Sequence, residues 1–78
     1  MMIDLKAIGS ICGRSRRIAE ETQLDVSKLT GYSQENICSF ENGRTNNAAL
    51  LLFYMQRYRN TDSMIYFLEG FKGDQNEN

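Results

Sequence analysis

No histidine, tryptophan or proline occurs among the 78 residues, and cysteine occurs only twice. Without histidine the chain lacks the side chain that most readily moves protons near neutral pH. No nucleophile–base pair or carboxylate dyad replaces it, so an enzyme with a small-molecule substrate is not expected. Cys12 and Cys38 have no CxxC or Cys/His spacing, which argues against structural zinc or a thioredoxin-like pair. No metal or cofactor is therefore expected, and both thiols should remain reduced. The absence of proline means that ring geometry forbids helix nowhere in the chain. No apolar run approaches the roughly 20 residues of a membrane span, and the start MMIDLKAIGS has no basic segment ahead of its apolar one. The expectation is a cytoplasmic protein without a membrane partner.

Cationic surplus is also missing: the formal net charge is −1 and the pI about 5.3, which at first sight disfavours a nucleic-acid partner. The distribution softens that objection. Lys6, Arg14, Arg16, Arg17, Lys28, Arg44, Arg57 and Arg59 outnumber Asp4, Glu20, Glu21, Asp25, Glu35 and Glu41 in the first 59 residues, whereas Lys72 alone faces Asp62, Glu69, Asp74 and Glu77 after them. The front of the chain is mildly basic and the acid collects at its end.

What is present is helical patterning. Asp4 is a good N-cap, and Leu5, Ile8, Ile11/Cys12, Ser15 and Ile18/Ala19 follow at three-to-four spacing, predicting a helix over residues 5 to 20. Gly9 and Gly13 share GxxxG spacing, but Lys6, Arg14 and Arg17 surround them, so close packing explains them better than a membrane dimer face. Thr22 caps a second helix, QLDVSKLT, stopped by Gly31, and Ser33 caps a third, QENICSFEN, ended by Asn42-Gly43. Asn46 or Asn47 caps a fourth, AALLLFYMQRYR. Thr61 or Asp62 caps a fifth, SMIYFLE, with Gly70 just past its end. The reading is an all-α domain over residues 1–71 with a disordered polar tail over 72–78.

The second and third helices carry the function. Two helices crossing through a three-residue turn need a small residue at the crossing, a left-handed turn residue, and apolar anchors beneath. Counting Gln23 as the first position, the fifth is Ser27 and the ninth is Gly31, while positions four, ten, fifteen and eighteen are Val26, Tyr32, Ile37 and Phe40. The joint match identifies a helix-turn-helix.

Residues 22 to 46, and above all Thr22-Gln23, Leu29-Thr30-Gly31, Ser33-Gln34 and Phe40-Glu41-Asn42-Gly43-Arg44, resemble the Xre/Cro-type helix-turn-helix family, which includes the repressors and Cro proteins of lambda-like phages. The resemblance implies a five-helix lambda-repressor-like domain that docks as a homodimer on a near-palindromic double-stranded DNA operator. It implies that Gln23 bonds a phosphate, and that Gln34, Glu35 and Ser39, with Ser33 and Asn36 beside them, face the DNA. It implies that Asn42, Gly43 and Arg44 grip the backbone through main-chain N–H groups and a cation. Arg16 and Glu41 match a partly buried structural ion pair. Many relatives carry a glycine near the end of the first helix where this chain has Glu20-Glu21.

The chemistry beneath these roles is independent of the family. The planar amide of Gln34 can pair bidentately with adenine N6 and N7, Glu35 can accept from a cytosine amino group, and the start of the third helix offers unpaired N–H groups to a phosphate. On helical spacing alone Gln34, Asn36 and Ser39 would read as a solvated face; the surrounding motif reverses that. Arg14, Arg16 and Arg17 read as a solvated face plus one ion pair rather than a phosphate clamp. Cys38 has no adjacent cation, so no redox switch is expected. The rings of Phe53, Tyr54, Tyr58, Tyr66, Phe67 and Phe71 are core by default. A chain this short cannot cover them all, and Tyr66, Phe67 and Phe71 are expected to form a dimer interface. The function these readings predict is a repressor or Cro-like transcriptional regulator of phage or mobile-element type. The alternative is a protein-interaction module on the same fold, such as an antitoxin or a phage factor, favoured by the acidic pI.

Overall fold

The computed structural model describes residues 4–76, with side chains described as far as Gly70, and contains five helices and no strand among the described residues. α1 spans Leu5–Ile18, α2 Gln23–Thr30, α3 Gln34–Glu41, α4 Ala48–Arg57 and α5 Asp62–Asn76. Each of the first four starts where a short polar side chain can accept from the first turn. Asp4 Oδ1 accepts from the Lys6 and Ala7 N–H groups, Thr22 Oγ1 from Asp25 N, Ser33 Oγ from Asn36 N and Asn47 Oδ1 from Leu50 N. Asp25 returns the favour by accepting from Thr22 N at 2.8 Å, completing a capping box at α2.

The ends of α1 and α5 differ most from the sequence reading, and α4 stops at Arg57, two residues before the expected Arg59. α1 was expected to reach residue 20 but stops at Ile18, because Glu20 turns left-handed with φ 61°. Glu20 N then donates to Arg17 O at 2.9 Å and Glu21 N to Arg16 O at 3.1 Å, the paired bonds of a Schellman cap with glutamate in the position that favours glycine. α5 was expected to end before Gly70 but continues to Asn76, through Gly70 and into the stretch expected to be a disordered tail. A glycine lowers helix stability by about 1 kcal/mol but leaves the hydrogen-bond ladder intact, so it weakens a helix without ending it.

α1 runs centrally, packing against α3, α4 and α5, while α2 packs on α3. The core takes Cys12 from α1, Val26 from α2, Ile37 and Phe40 from α3, Leu50 and Tyr54 from α4, Tyr58 just after it, and Met64 from α5. The rings of Phe40, Tyr54 and Tyr58 pack in sequence at tilted angles, with centroids 5.5 and 5.4 Å apart. The inward stripe of α1 is shifted from the expected one: Gly9, Cys12, Gly13, Ser15 and Arg16 are buried, whereas Leu5 and Ile18 are exposed.

The small residues of α1 let it approach the end of α3 closely. A Cβ on Gly9 would lie 2.5 Å from Phe40 O and 2.6 Å from Glu41 O, and one on Gly43 would lie 2.6 Å from Lys6 Cα. Both neighbours are backbone and cannot swing away. No helix among the described residues is long and apolar enough to cross a membrane.

Gly9→Ala and Glu20→Gly are accordingly predicted to shift thermal stability in opposite directions. Gly9→Ala should destabilise by about 2 kcal/mol or more despite alanine's higher helix propensity, since its methyl meets carbonyl oxygens. Glu20→Gly should stabilise by about 0.5–1 kcal/mol by relieving the left-handed residue. Paired denaturant melts followed by circular dichroism read both, and equal signs would refute the packing argument.

Candidate nucleic-acid interface

α2 and α3 are joined by residues 31–33. Gly31 closes α2 at φ 82°, a conformation that costs glycine little, and its N–H donates to Ser27 O at 2.9 Å. Ser27 Oγ donates to Tyr32 O at 2.6 Å, and Thr30 Oγ1 donates to Val26 O and accepts from Tyr32 N. The turn is thus pinned by side chains on the helix before it. Val26 and Ile37 are fully buried, Phe40 is nearly so, and Tyr32 packs against the same core.

With Ile37 and Phe40 turned inward, the first turn of α3 must face outward. Gln34, Glu35 and Asn36 are exposed, and their side chains make no hydrogen bond within the described residues. Ser39 and Cys38 are half-buried at the flank. The Ser33 hydroxyl accepts from Asn36 N, which leaves its own O–H as a donor.

The far end of α3 behaves differently from its start. Asn42 N donates to Cys38 O, Gly43 N to Phe40 O and Arg44 N to Ser39 O, all within 3.1 Å. The Asn42 amide donates to Cys38 O at 2.8 Å and to Cys38 Sγ at 3.3 Å. Main-chain N–H groups of residues 42–44 are therefore committed to α3 itself, and the backbone grip expected from them is not on offer. What remains at this loop is the exposed Arg44 guanidinium.

Gln23 is also differently engaged from the expectation of a simple phosphate donor. Its Nε2 donates to Glu41 Oε1 at 3.0 Å, so one amide hydrogen is used internally and one remains. Glu41 gathers three elements besides its own. Arg16 Nε donates to Oε2 at 2.8 Å and Nη2 to Oε1 at 3.0 Å, while the Tyr54 hydroxyl donates to Oε2 at 2.5 Å. Arg16 Nη1 is taken by Glu21 O at 2.8 Å. The pair is almost fully covered, with side-chain exposures of 9% for Arg16 and 6% for Glu41. Burial by itself raises the Glu41 carboxyl, but the bonds from Arg16, Tyr54 and Gln23 outweigh it and hold it below the usual range. Burial, reinforced by the Glu41 charge, pushes the Cys12 thiol up to about 12, so that sulfur is inert as a nucleophile.

A second carboxylate cluster was not foreseen. Glu21 accepts from Arg57 Nε at 2.8 Å, Arg57 Nη2 at 2.5 Å and the Tyr58 hydroxyl at 2.7 Å, tying the α1–α2 connection to the end of α4. These donors, Arg57 first, bring its carboxyl down to about 2. Separations of 36 and 37 residues leave no local trace in the sequence. The aromatic surface also divides: Tyr66 is 82% exposed, but Phe67 packs against the core instead of joining an outward patch, and the Phe71 side chain lies outside the described residues. Among the described residues, no group of three or more His, Cys, Asp or Glu side chains is arranged to hold a metal.

Both paired carboxylates titrate lower in the folded than in the unfolded chain. The stability they confer is complete above the unfolded value of about 4.3 and is lost as the pH falls through the folded values. Thermal melts should therefore decline on acidification from about pH 5, with the Glu21 contribution disappearing near pH 2. Glu41→Gln, which strands the buried Arg16 charge, should lower stability at neutral pH by about 3 kcal/mol or more and flatten the acid decline. An unchanged acid profile in that variant would contradict the role of Glu41. Set against known proteins, the chain matches no family model, no curated sequence and no solved structure.

Proposed function

We propose that this chain is a sequence-specific double-stranded DNA-binding protein of the lambda-repressor-like helix-turn-helix type, acting as a small transcriptional regulator through α3. The supporting observation is the division of α3 into a buried face, Ile37 and Phe40, and an outward first turn bearing Gln34, Glu35 and Asn36 with no internal partners. Such a turn has its donors and acceptors ready for base edges without first breaking bonds to its own chain. Its first N–H groups and the Ser33 hydroxyl supply donors for a nearby phosphate.

The charge balance fits selective rather than indiscriminate binding. Arg16 and Arg57 are neutralised in ion pairs, so Lys6, Arg14, Arg17, Lys28, Arg44 and Arg59 are the described cations left to meet phosphates. Few cations mean weak non-specific affinity and a shallow salt dependence. Docking to a protein partner is the second reading, and the exposure of Leu24, Leu29 and Leu52 favours it.

Gln34→Ala should reduce preference at one base pair by about 1–3 kcal/mol, whereas Arg44→Ala should weaken all duplexes alike and lower the salt slope by about 1. Selection of bound sequences from random duplexes, followed by titration of both variants, reads this. Equal loss on every sequence from both variants would overturn the roles assigned.

The homodimer belongs to the same proposal, with recognition helices about 34 Å apart. The outward side of α5 that carries Ile65 and Tyr66 is the surface offered for it. Sedimentation should show a dimer that Tyr66→Lys weakens; a monomer at every concentration would remove this part of the reading.

A further inference from the structure

An open groove runs between α1 and the junction of α2 with the end of α3, lined by Lys6, Ser10, Gly13, Arg17, Gln23 and Asn42, with Asp4 at one end and the Arg16–Glu41 pair in its floor. Its position follows from packing. The backbone of Lys6 is pressed against Gly43, which fixes Lys6 beside the loop that carries Arg44. At the other end, Gly13 lies beside both the Glu41 carboxylate and the Arg17 guanidinium: a Cβ there would meet Glu41 Oε1 at 3.0 Å and Arg17 Nη1 at 3.3 Å.

The groove has the chemistry of an anion seat. Its floor carries no net charge, because Arg16 and Glu41 cancel. Lys6 and Arg17 are exposed and outside any ion pair among the described residues, and Ser10 and Gln23, which line the same groove, carry neutral donors. Asp4 opposes an anion, but its Oδ1 already accepts from two N–H groups at the start of α1, where the helix dipole offsets its charge. Arg14, on the same helix, does not line the groove.

We propose that this groove is a second seat for the DNA backbone, in which Lys6 and Arg17 take phosphates flanking the segment that α3 reads. The inference rests on the DNA-binding function proposed above and extends its footprint onto α1. With eight residues α3 is about 12 Å long, close to the width of the major groove. Its C-terminal end, where Asn42 opens into the groove, therefore emerges beside the bounding phosphates. Arg44, Lys6 and Arg17 are then the cations that meet that strand.

The test is a salt titration of a labelled duplex taken from the sequences selected above, followed by fluorescence anisotropy, with four proteins: the wild type, Arg44→Ala, and the double variants Lys6→Gln/Arg17→Gln and Arg14→Gln/Arg59→Gln. The two double variants lose equal charge at exposed positions, and circular dichroism confirms that they fold. The groove variant should lower the slope of log K against log salt by about two units, and the control variant should leave it near the wild-type value. A wild-type slope in the groove variant, with Arg44→Ala still lowering it, overturns the groove and spares the DNA reading. Equal loss in both variants also overturns it, since diffuse charge would then suffice. A wild type that binds no duplex at any salt overturns the DNA reading and the groove together.

Discussion

The placing of α3 depends on one carboxylate. Glu41 stands at the last turn of α3 and takes hydrogen bonds from α1, α2 and α4 at once, through Arg16, Gln23 and Tyr54. An ionised group so thoroughly covered costs several kcal/mol in lost hydration, and only near-ideal geometry offsets that. The donors satisfy both oxygens, and the geometry they demand fixes where α3 ends relative to its three neighbours. Gly9 and Gly13 belong to the same constraint, because any side chain there would hold α1 away from Glu41. The glycines of α1 are thus best understood as clearance for an ion pair.

That constraint explains why the two ends of α3 differ. Its last carbonyls and the N–H groups that follow are closed upon one another by residues 42–44, which seals the end at which Glu41 must stay put. Its first turn is capped by Ser33 and held from beneath by Ile37, and its outward side chains stay uncommitted. A rigid end and an available end on a helix of eight residues suit a recognition element, in which the base-facing groups should be preorganised by contacts they do not themselves make. The Glu21–Arg57–Tyr58 cluster plays a parallel part farther out, bracing the connection that introduces α2.

The local features of this design could be read from the sequence and the tertiary ones mostly could not. Caps at Asp4, Thr22, Ser33 and Asn47, and the left-handed Gly31, are decided by residues within four positions, so spacing revealed them. The inward set Val26, Ile37 and Phe40 followed from the same periodicity. Where a donor spends its hydrogen is a question of long range, which spacing along the chain does not carry. Gln23 was assigned to phosphate and bonds Glu41; the N–H groups of residues 42–44 were assigned to DNA and close α3. Tyr54 was read as core, which its ring is, but nothing in the chain announces that its hydroxyl ends on Glu41. Likewise Glu20 at a left-handed φ was beyond the reach of patterning, because a cap that tolerates about 1 kcal/mol of strain looks like an ordinary helix until the structure bends it.

The net negative charge, which seemed to oppose a nucleic-acid partner, has a simpler meaning once the pairs are assigned. Arg16 and Arg57 hold the fold and contribute nothing outward, while Glu41 and Glu21 disappear with them, so both signs lose equally. What remains is mixed: Lys6, Arg17 and Asp4 line the groove on α1, Arg44 lies on the adjoining loop, Glu35 stands on α3, and Asp62 and Glu69 sit on α5. A protein with few cations gains little from DNA in general. Under the function proposed above, discrimination would then come from the hydrogen-bonding edge of α3, because the electrostatic term that is common to all sequences is small and the base-specific term is a larger share of the total.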